Sequence, residues 1–337
     1  MASLADRLDA FQRRHPVVGF PLAVTYKFFD DQSNYLAATV TYYTFAAVFP
    51  LLLISSSVLG FLLQGDEKLK TALLDSALGQ FPIVGPALGT HEGLRGSTAA
   101  VVFGGLAALY GILGLGQAAQ NAVQVAWAVP RNVRPNPFIS RLRSGALLSL
   151  AGLVVLVLAT LTSVAGNAQM FGVVADRGLG WLITLVSIAL TALVLALLIR
   201  WATDRREPLR HLLPGALLTA VLWQLLQRLG RFYVDHVVQR ANEVNGVFAL
   251  TLGLLALIYI AANMAVVGLQ VNVVLMKHLY PRALLTPFTD AVELTDADRR
   301  AYAAYAQAQR HKGFEKVDVT FDAQEPEPPD EPDRGPA

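Results

Sequence analysis

The chain has 337 residues, 54% of them hydrophobic and only 15% charged, against roughly 25% charged in an ordinary soluble domain, and its mean hydropathy is +0.46. That composition excludes a string of soluble domains and puts the chain in a membrane. The 27 basic residues nearly balance 25 acidic ones for a net charge of +2, so no general attraction to nucleic acid is expected; the lack of cysteine excludes disulfides, thiolate metal sites and a cysteine nucleophile.

In residues 1–33, Arg7, Arg13, Arg14 and Lys27 interrupt any apolar run of signal-peptide length, so this arm is expected to be retained. Helical spacing sets Leu4, Leu8 and Phe11 against Asp6, Arg7 and Arg14, the pattern of a helix lying on the inner membrane surface. A solvated arm is the competing reading. Six segments then approach the ~20 apolar residues that a membrane-crossing helix requires: 36–63, 97–115, 142–165, 179–201, 212–234 and 247–275.

Lys and Arg collect in cytoplasmic loops. The arm, the second connection (Arg131, Arg134, Arg141, Arg143) and the fourth (Arg200, Arg205, Arg206, Arg210) therefore share one side, and both termini are expected in the cytoplasm. The expected fold is all-α, a polytopic membrane helix bundle of about six transmembrane helices. It divides into a cytoplasmic amphipathic arm (1–33), a transmembrane domain (34–280) and a cytoplasmic polar helix, from about Thr295 to Gln309, with a disordered acidic, proline-rich tail (281–337). Within the transmembrane domain, segment 65–96 places Leu69, Leu73, Leu74, Ala77 and Leu78 on one face and reads as a helix along the outer surface.

Among the spans, the first carries Pro50 and Ser55–Ser57, a combination that bends helices. The second has a seam of small residues, Gly104, Ala107, Ala108, Gly111, Gly114 and Ala118, suited to close helix packing. A polar stripe, Gln117, Gln120, Asn121 and Gln124, follows before Trp127. Thr184, Ser187 and Thr191 on the fourth span are expected to bond within their helix or to a neighbour.

The fifth span is the most informative, because its continuous apolar stretch, 212–223, is too short to cross alone. Gln224, Gln227, Arg228, Arg231 and Asp235 follow at helical spacing. Two arginines at mid-membrane would cost roughly 5 to 7 kcal/mol, so they must reach the interface or face a wet cavity. Simple snorkelling, with Asp235 as a partner, satisfies this; so does a cationic patch holding the phosphate of an anionic lipid or amphiphile. On the sixth span Asn245, Tyr259, Asn263 and Gln270 fall within an arc of roughly 40°. Taken singly each suits helix packing; together they read as a cavity lining.

Asp30-Asp31 ahead of Tyr42-Tyr43 and Phe49-Pro50-Leu51, Gln124 to Trp127 before the Arg131–Arg143 loop, Pro208 ahead of Pro214-Gly215-Ala216, and Gly268-Leu269-Gln270 make the chain similar to the YihY/BrkB family of bacterial inner-membrane proteins. That resemblance implies six spans with both ends inside. Members have been described as a ribonuclease BN and as a serum-resistance factor, without a settled activity. Where relatives tend to carry Glu, this chain has Gln224 and Gln270, and an amide cannot relay a proton near neutral pH.

A metal-dependent nuclease needs clustered ligands, whereas His15, His91, His211, His236, His278 and His311 are scattered. Nuclease activity is therefore not expected, and Walker A, Gly-x-Gly-x-x-Gly and Gly-x-Ser-x-Gly motifs are missing as well. The expectation is a multi-pass protein of the bacterial plasma membrane with no enzymatic activity, no cofactor, no metal and no nucleic-acid partner. It would carry or flip an anionic envelope lipid or amphiphile through a polar cavity between the first, fifth and sixth spans. The competing class is a scaffold for envelope-assembly partners, in which the polar stripes only join helices.

Overall fold

The computed structural model describes residues 4–62, 98–134, 136, 145, 177–202, 208–233, 236, 243–284, 286 and 292–321. Regular structure among them is helical: α1 (Leu4–Arg14), α2 (Pro16–Asp30), α3 (Ser33–Leu62), α4 (Thr98–Ala126), a 3-10 turn (Arg131–Val133), α5 (Arg177–Ala202), α6 (Leu209–Tyr233), α7 (Glu243–Met276) and α8 (Asp296–Ala308). Helices α3 to α7 coincide with five of the segments expected to cross. The remaining one, 142–165, lies outside the described residues apart from Gly145, and the surface segment 65–96 and the acidic tail lie outside them as well. Among the described residues three helices are long and apolar enough to cross a membrane: Thr184–Ala202, Leu209–Gly230 and Thr251–Met276. The second of these is the least apolar, yet α6 runs unbroken past Pro214 and through Gln224 to Tyr233.

The chain forms two compact units. One comprises Met1–Asp30, Ala128–Arg134 and Val273–Ala337; the other comprises Asp31–Trp127 and Pro135–Asn272. The N-terminal arm and the C-terminal segment, distant in sequence, thus belong to the same unit.

In the larger unit α3 packs on α4 along the small-residue seam. A Cβ added to Gly111 would sit 2.8 Å from the Ala47 backbone nitrogen, and one on Gly114 would enter the Tyr43 ring. Because lipid tails are as apolar as leucine, such close backbone approach, not burial of oily surface, is what draws helices together in a bilayer. A second core joins α6 and α7 through Leu226, Leu254, Leu257 and Ile258, with Phe45 and Val48 of α3 against it. Helix α5 leaves Leu182, Leu185, Val186 and Leu193 exposed, as a lipid-facing helix must.

Helix ends account for the unusual backbone positions. Gln32, Ala128 and His278 have φ of 51°, 49° and 50°, the left-handed region that a side chain disfavours. At the end of α7, His278 closes a Schellman turn in which the Leu279 N–H donates to the Val274 carbonyl at 3.0 Å. Helix α8 begins at a capping box: the Thr295 side chain accepts from the Asp298 N–H, and the Asp298 carboxylate accepts from the Thr295 N–H.

Candidate functional site

The polar band of α6 begins with Gln224, half-buried, whose Nε2 donates to Ser187 Oγ on α5 at 3.2 Å. Gln227 is half-buried and engaged. Arg228 is exposed, and so are Val221, Leu225, Leu229 and Phe232, which share its side of the helix at 3- and 4-residue spacing. Arg228 therefore stands where the polar band meets an outward apolar face. Arg231 belongs to the same helix; its side chain lies outside the described residues, as does Asp235.

Helix α7 carries the second stripe, and the residues that share its azimuth do not share an environment. Tyr259 is 39% exposed. Asn263 is half-buried and its Nδ2 donates to the Tyr259 carbonyl of its own helix at 2.8 Å. Gln270 is fully buried: its Nε2 donates to Asp31 Oδ2 at 2.9 Å and to Ser33 Oγ at 3.0 Å, while its Oε1 is buried with no partner among the described residues. Asn245 lies in α7, with its side chain outside the described residues. The structure thus brings Gln270 to the start of α3 and Gln224 to α5, and does not join Tyr259 or Asn263 to either.

Two polar positions escaped the sequence reading. Asn272, fully buried, accepts from the Gly215 N–H at 2.8 Å and donates to the Leu212 carbonyl at 3.0 Å. Pro214 removes an N–H from the ladder and its ring crowds the preceding turn, so the Asn272 amide serves backbone groups flanking the proline. The signal was present in Pro214-Gly215, which demands a polar partner, but nothing in the sequence names it. Asp31, buried, figured only in the family resemblance.

In the other unit the charged centre is Arg282, 1% exposed. Its Nε donates to Asp298 Oδ1 at 2.7 Å and its Nη1 to Asp30 Oδ2 at 2.6 Å, while the guanidinium carbon lies 5.7 Å and 5.4 Å from the Tyr26 and Tyr302 ring centroids. Burial alone would lower the Arg282 pKa, but the charge of Asp30 and the hydrogen bonds to both carboxylates raise it above the ordinary value. Burial pushes the Tyr26 and Tyr302 phenols up, with Arg282 opposing. Lys27, also buried, lies 4.9 Å from the Tyr305 ring centroid. Helix α1 joins this unit through its polar face: Gln12 Nε2 donates to the Arg282 carbonyl, Asp9 Oδ1 accepts from the Leu284 N–H at 2.8 Å, and Arg13 reaches the Glu293 carbonyl at 3.1 Å. Among the described residues no group of three or more His, Asp or Glu is placed to hold a metal ion.

Comparison with known proteins agrees with this architecture of long apolar helices. The inner membrane protein YhjD of Escherichia coli (strain K12) is 26% identical over 271 residues, covering 75% of this chain and 79% of its own length. An uncharacterised protein of Dickeya dadantii (strain 3937) is 28% identical over 236 residues, covering 64% and 71% respectively. No solved structure gives a significant match. The sequence model of the family described as Virulence factor BrkB spans residues 24–289, which takes in the C-terminal half of α2 and all of α3 to α7. The chain is a bacterial membrane protein and belongs to the BrkB family.

Proposed function

We propose that this protein is a carrier for an anionic envelope amphiphile, a lipid-like molecule with a phosphate or similar headgroup, which moves along the polar band of α6. The observation that supports this reading is the position of Arg228, exposed at the edge of the Gln224–Gln227 band and beside outward-facing Leu225, Leu229 and Phe232. A phosphate-bearing amphiphile needs that adjacency: a guanidinium fork for its oxygens and an apolar face for its chains. Helical spacing sets Arg231 three residues beyond Arg228 on the same helix, and we assign Asn245, Tyr259 and Asn263 of α7 as further polar contacts for the headgroup. The site is in the bacterial inner membrane, the location in the name of the Escherichia coli relative. The carrier is not an enzyme and takes neither cofactor nor nucleic acid. The experiment is lipid scrambling in reconstituted vesicles: Arg228→Ala/Arg231→Ala should cut the rate at least about tenfold, the equivalent of 1.4 kcal/mol, and an unchanged rate would remove these residues from the path.

A scaffold reading has its own support, because the Gln224 to Ser187 and Gln270 to Asp31 and Ser33 bonds join neighbouring helices, as polar side chains in membranes commonly do. It requires Gln224, Asn263 and Gln270 to be sealed from water. Single cysteines at those positions, introduced into a chain with no native cysteine, distinguish the two: reaction with a membrane-impermeant thiol reagent supports the carrier, and protection at all three supports the scaffold.

A further inference from the structure

Helix α1 is turned the opposite way from an ordinary surface helix. Its polar side, Asp9, Gln12 and Arg13, faces the folded unit and bonds to Arg282, Leu284 and Glu293 of the C-terminal segment, with Gln12 only 3% exposed. Its apolar side faces out: Leu8 and Phe11 are 50% and 51% exposed, and Val17 and Val18 at the start of α2 are 85% and 46% exposed. The His15 ring stacks on Phe11 at 4.2 Å and extends that surface.

The charges are sorted in the same sense. Arg7 and Arg14 are exposed and, contrary to the expectation that sets them opposite the apolar side chains, lie with Leu8 and Phe11 in an arc of about 120°, whereas Asp9 is held inward by the Leu284 N–H and by Arg13 Nε at 2.6 Å. An outward face with large apolar side chains and guanidinium groups, in a chain that belongs to the membrane, complements a layer of anionic headgroups over acyl chains. A water-facing helix would present the reverse arrangement.

We infer that the outward face of α1 and the start of α2 is a membrane-docking surface for anionic phospholipid, with Leu8, Phe11, Val17 and Val18 entering the interface and Arg7 and Arg14 binding headgroup phosphates. This anchors the C-terminal segment as well, since the inward face of the same helix holds residues 282–293. The inference concerns a different surface from the α6 band and does not depend on what that band carries.

The test uses the full chain in bilayers of phosphatidylcholine, with or without phosphatidylglycerol, carrying one fluorophore on Leu8→Cys or, for reference, on the exposed Gln307→Cys of α8. Quenching by a lipid spin-labelled on its acyl chain should be about threefold stronger at Leu8→Cys than at Gln307→Cys, and stronger still with phosphatidylglycerol. Arg7→Glu/Arg14→Glu should abolish the phosphatidylglycerol-dependent increase at Leu8→Cys and leave the Gln307→Cys signal unchanged. Quenching of Leu8→Cys by aqueous iodide as strong as at Gln307→Cys would overturn the inference, and so would protection from both quenchers, which is what a second copy or a protein partner on this face would give. An unaltered phosphatidylglycerol response after charge reversal would equally overturn the role of the arginines.

Discussion

At the scale of single residues, the most consequential group is Arg282, because an ion held between two carboxylates and sealed from water leaves them uncompensated when it is removed. Arg282→Met should destabilise the unit that contains α1, α2 and α8 by about 3 to 5 kcal/mol, seen as faster amide hydrogen exchange across α8; exchange unchanged from the parent would contradict the network. The aromatic walls of this site add a pH dependence. Tyr26 has its pKa raised above 10.0, chiefly by burial, so its contribution to stability is complete below the unfolded value and is lost as pH rises through the folded one. The same hydroxyl donates to the Leu284 carbonyl, a bond that a phenolate cannot make. Raising the pH beyond the ordinary tyrosine range should therefore speed exchange near Leu284, and Tyr26→Phe should flatten that response. Gln270 shows what residue type alone leaves open. The sequence identifies an amide where the family resemblance implies a carboxylate, but only the fold supplies the reason an amide works: it donates to Asp31 and Ser33 together. Gln270→Glu would set a second carboxylate against Asp31 and should cost about 1 to 3 kcal/mol at neutral pH, measured by thermal unfolding in detergent.

At the scale of helices, the long apolar helices were legible because a run of apolar residues must be kept from water, and α3 to α7 follow the expected segments within a few residues at most ends. The larger difference is the longer C-terminal end of α4, which runs to Ala126, whereas α6 continues through its polar band as the helical spacing there implies. The polar residues do not end that helix, since Gln and Arg are good helix formers and the backbone in a membrane has no alternative partner. What the sequence could not convey is the crossing of α6 and α7. A Cβ on Gly215 would fall on the Gly268 carbonyl oxygen, and one on Gly268 would fall on Thr219 Oγ1. These glycines are thus contacts between helices separated by a connection whose geometry no periodicity encodes. Gly215→Ala should disrupt the crossing and lower the yield of folded protein. Asn272→Ala should cost about 1 to 3 kcal/mol for each of the Gly215 N–H and Leu212 carbonyl left unpaired. Gly105→Ala, where an added Cβ meets nothing within 4 Å, is the control: it should stabilise by about 0.5 to 1 kcal/mol. Thermal unfolding of the three variants in one detergent ranks them; a Gly215→Ala protein as stable as the parent would refute the close approach.

At the scale of the whole molecule, the feature least accessible from sequence is that the N-terminal arm folds with the C-terminal segment. The arm's amphipathic pattern was visible, yet pattern alone suggested that its charged side faces water, and the structure instead spends Asp9, Gln12 and Arg13 on bonds to residues about 270 positions away. Such pairings carry no local signal, because these side chains are satisfied by backbone groups of whatever residues the fold delivers. The consequence is that α1 has two occupied faces. Deleting residues 1–15 should release the Leu284 N–H and the Arg282 and Glu293 carbonyls simultaneously. With a net contribution of about 1 kcal/mol for an ordinary hydrogen bond and 1.5 to 3 kcal/mol for one to a charged group, amide exchange at Leu284 should accelerate by roughly a hundredfold or more. The point variant Gln12→Ala, which removes one of these bonds and leaves Asp9 in place, should accelerate it by only about fivefold. If the deletion has no larger effect than the point variant, α1 is a passenger on the C-terminal segment and not the element that holds it.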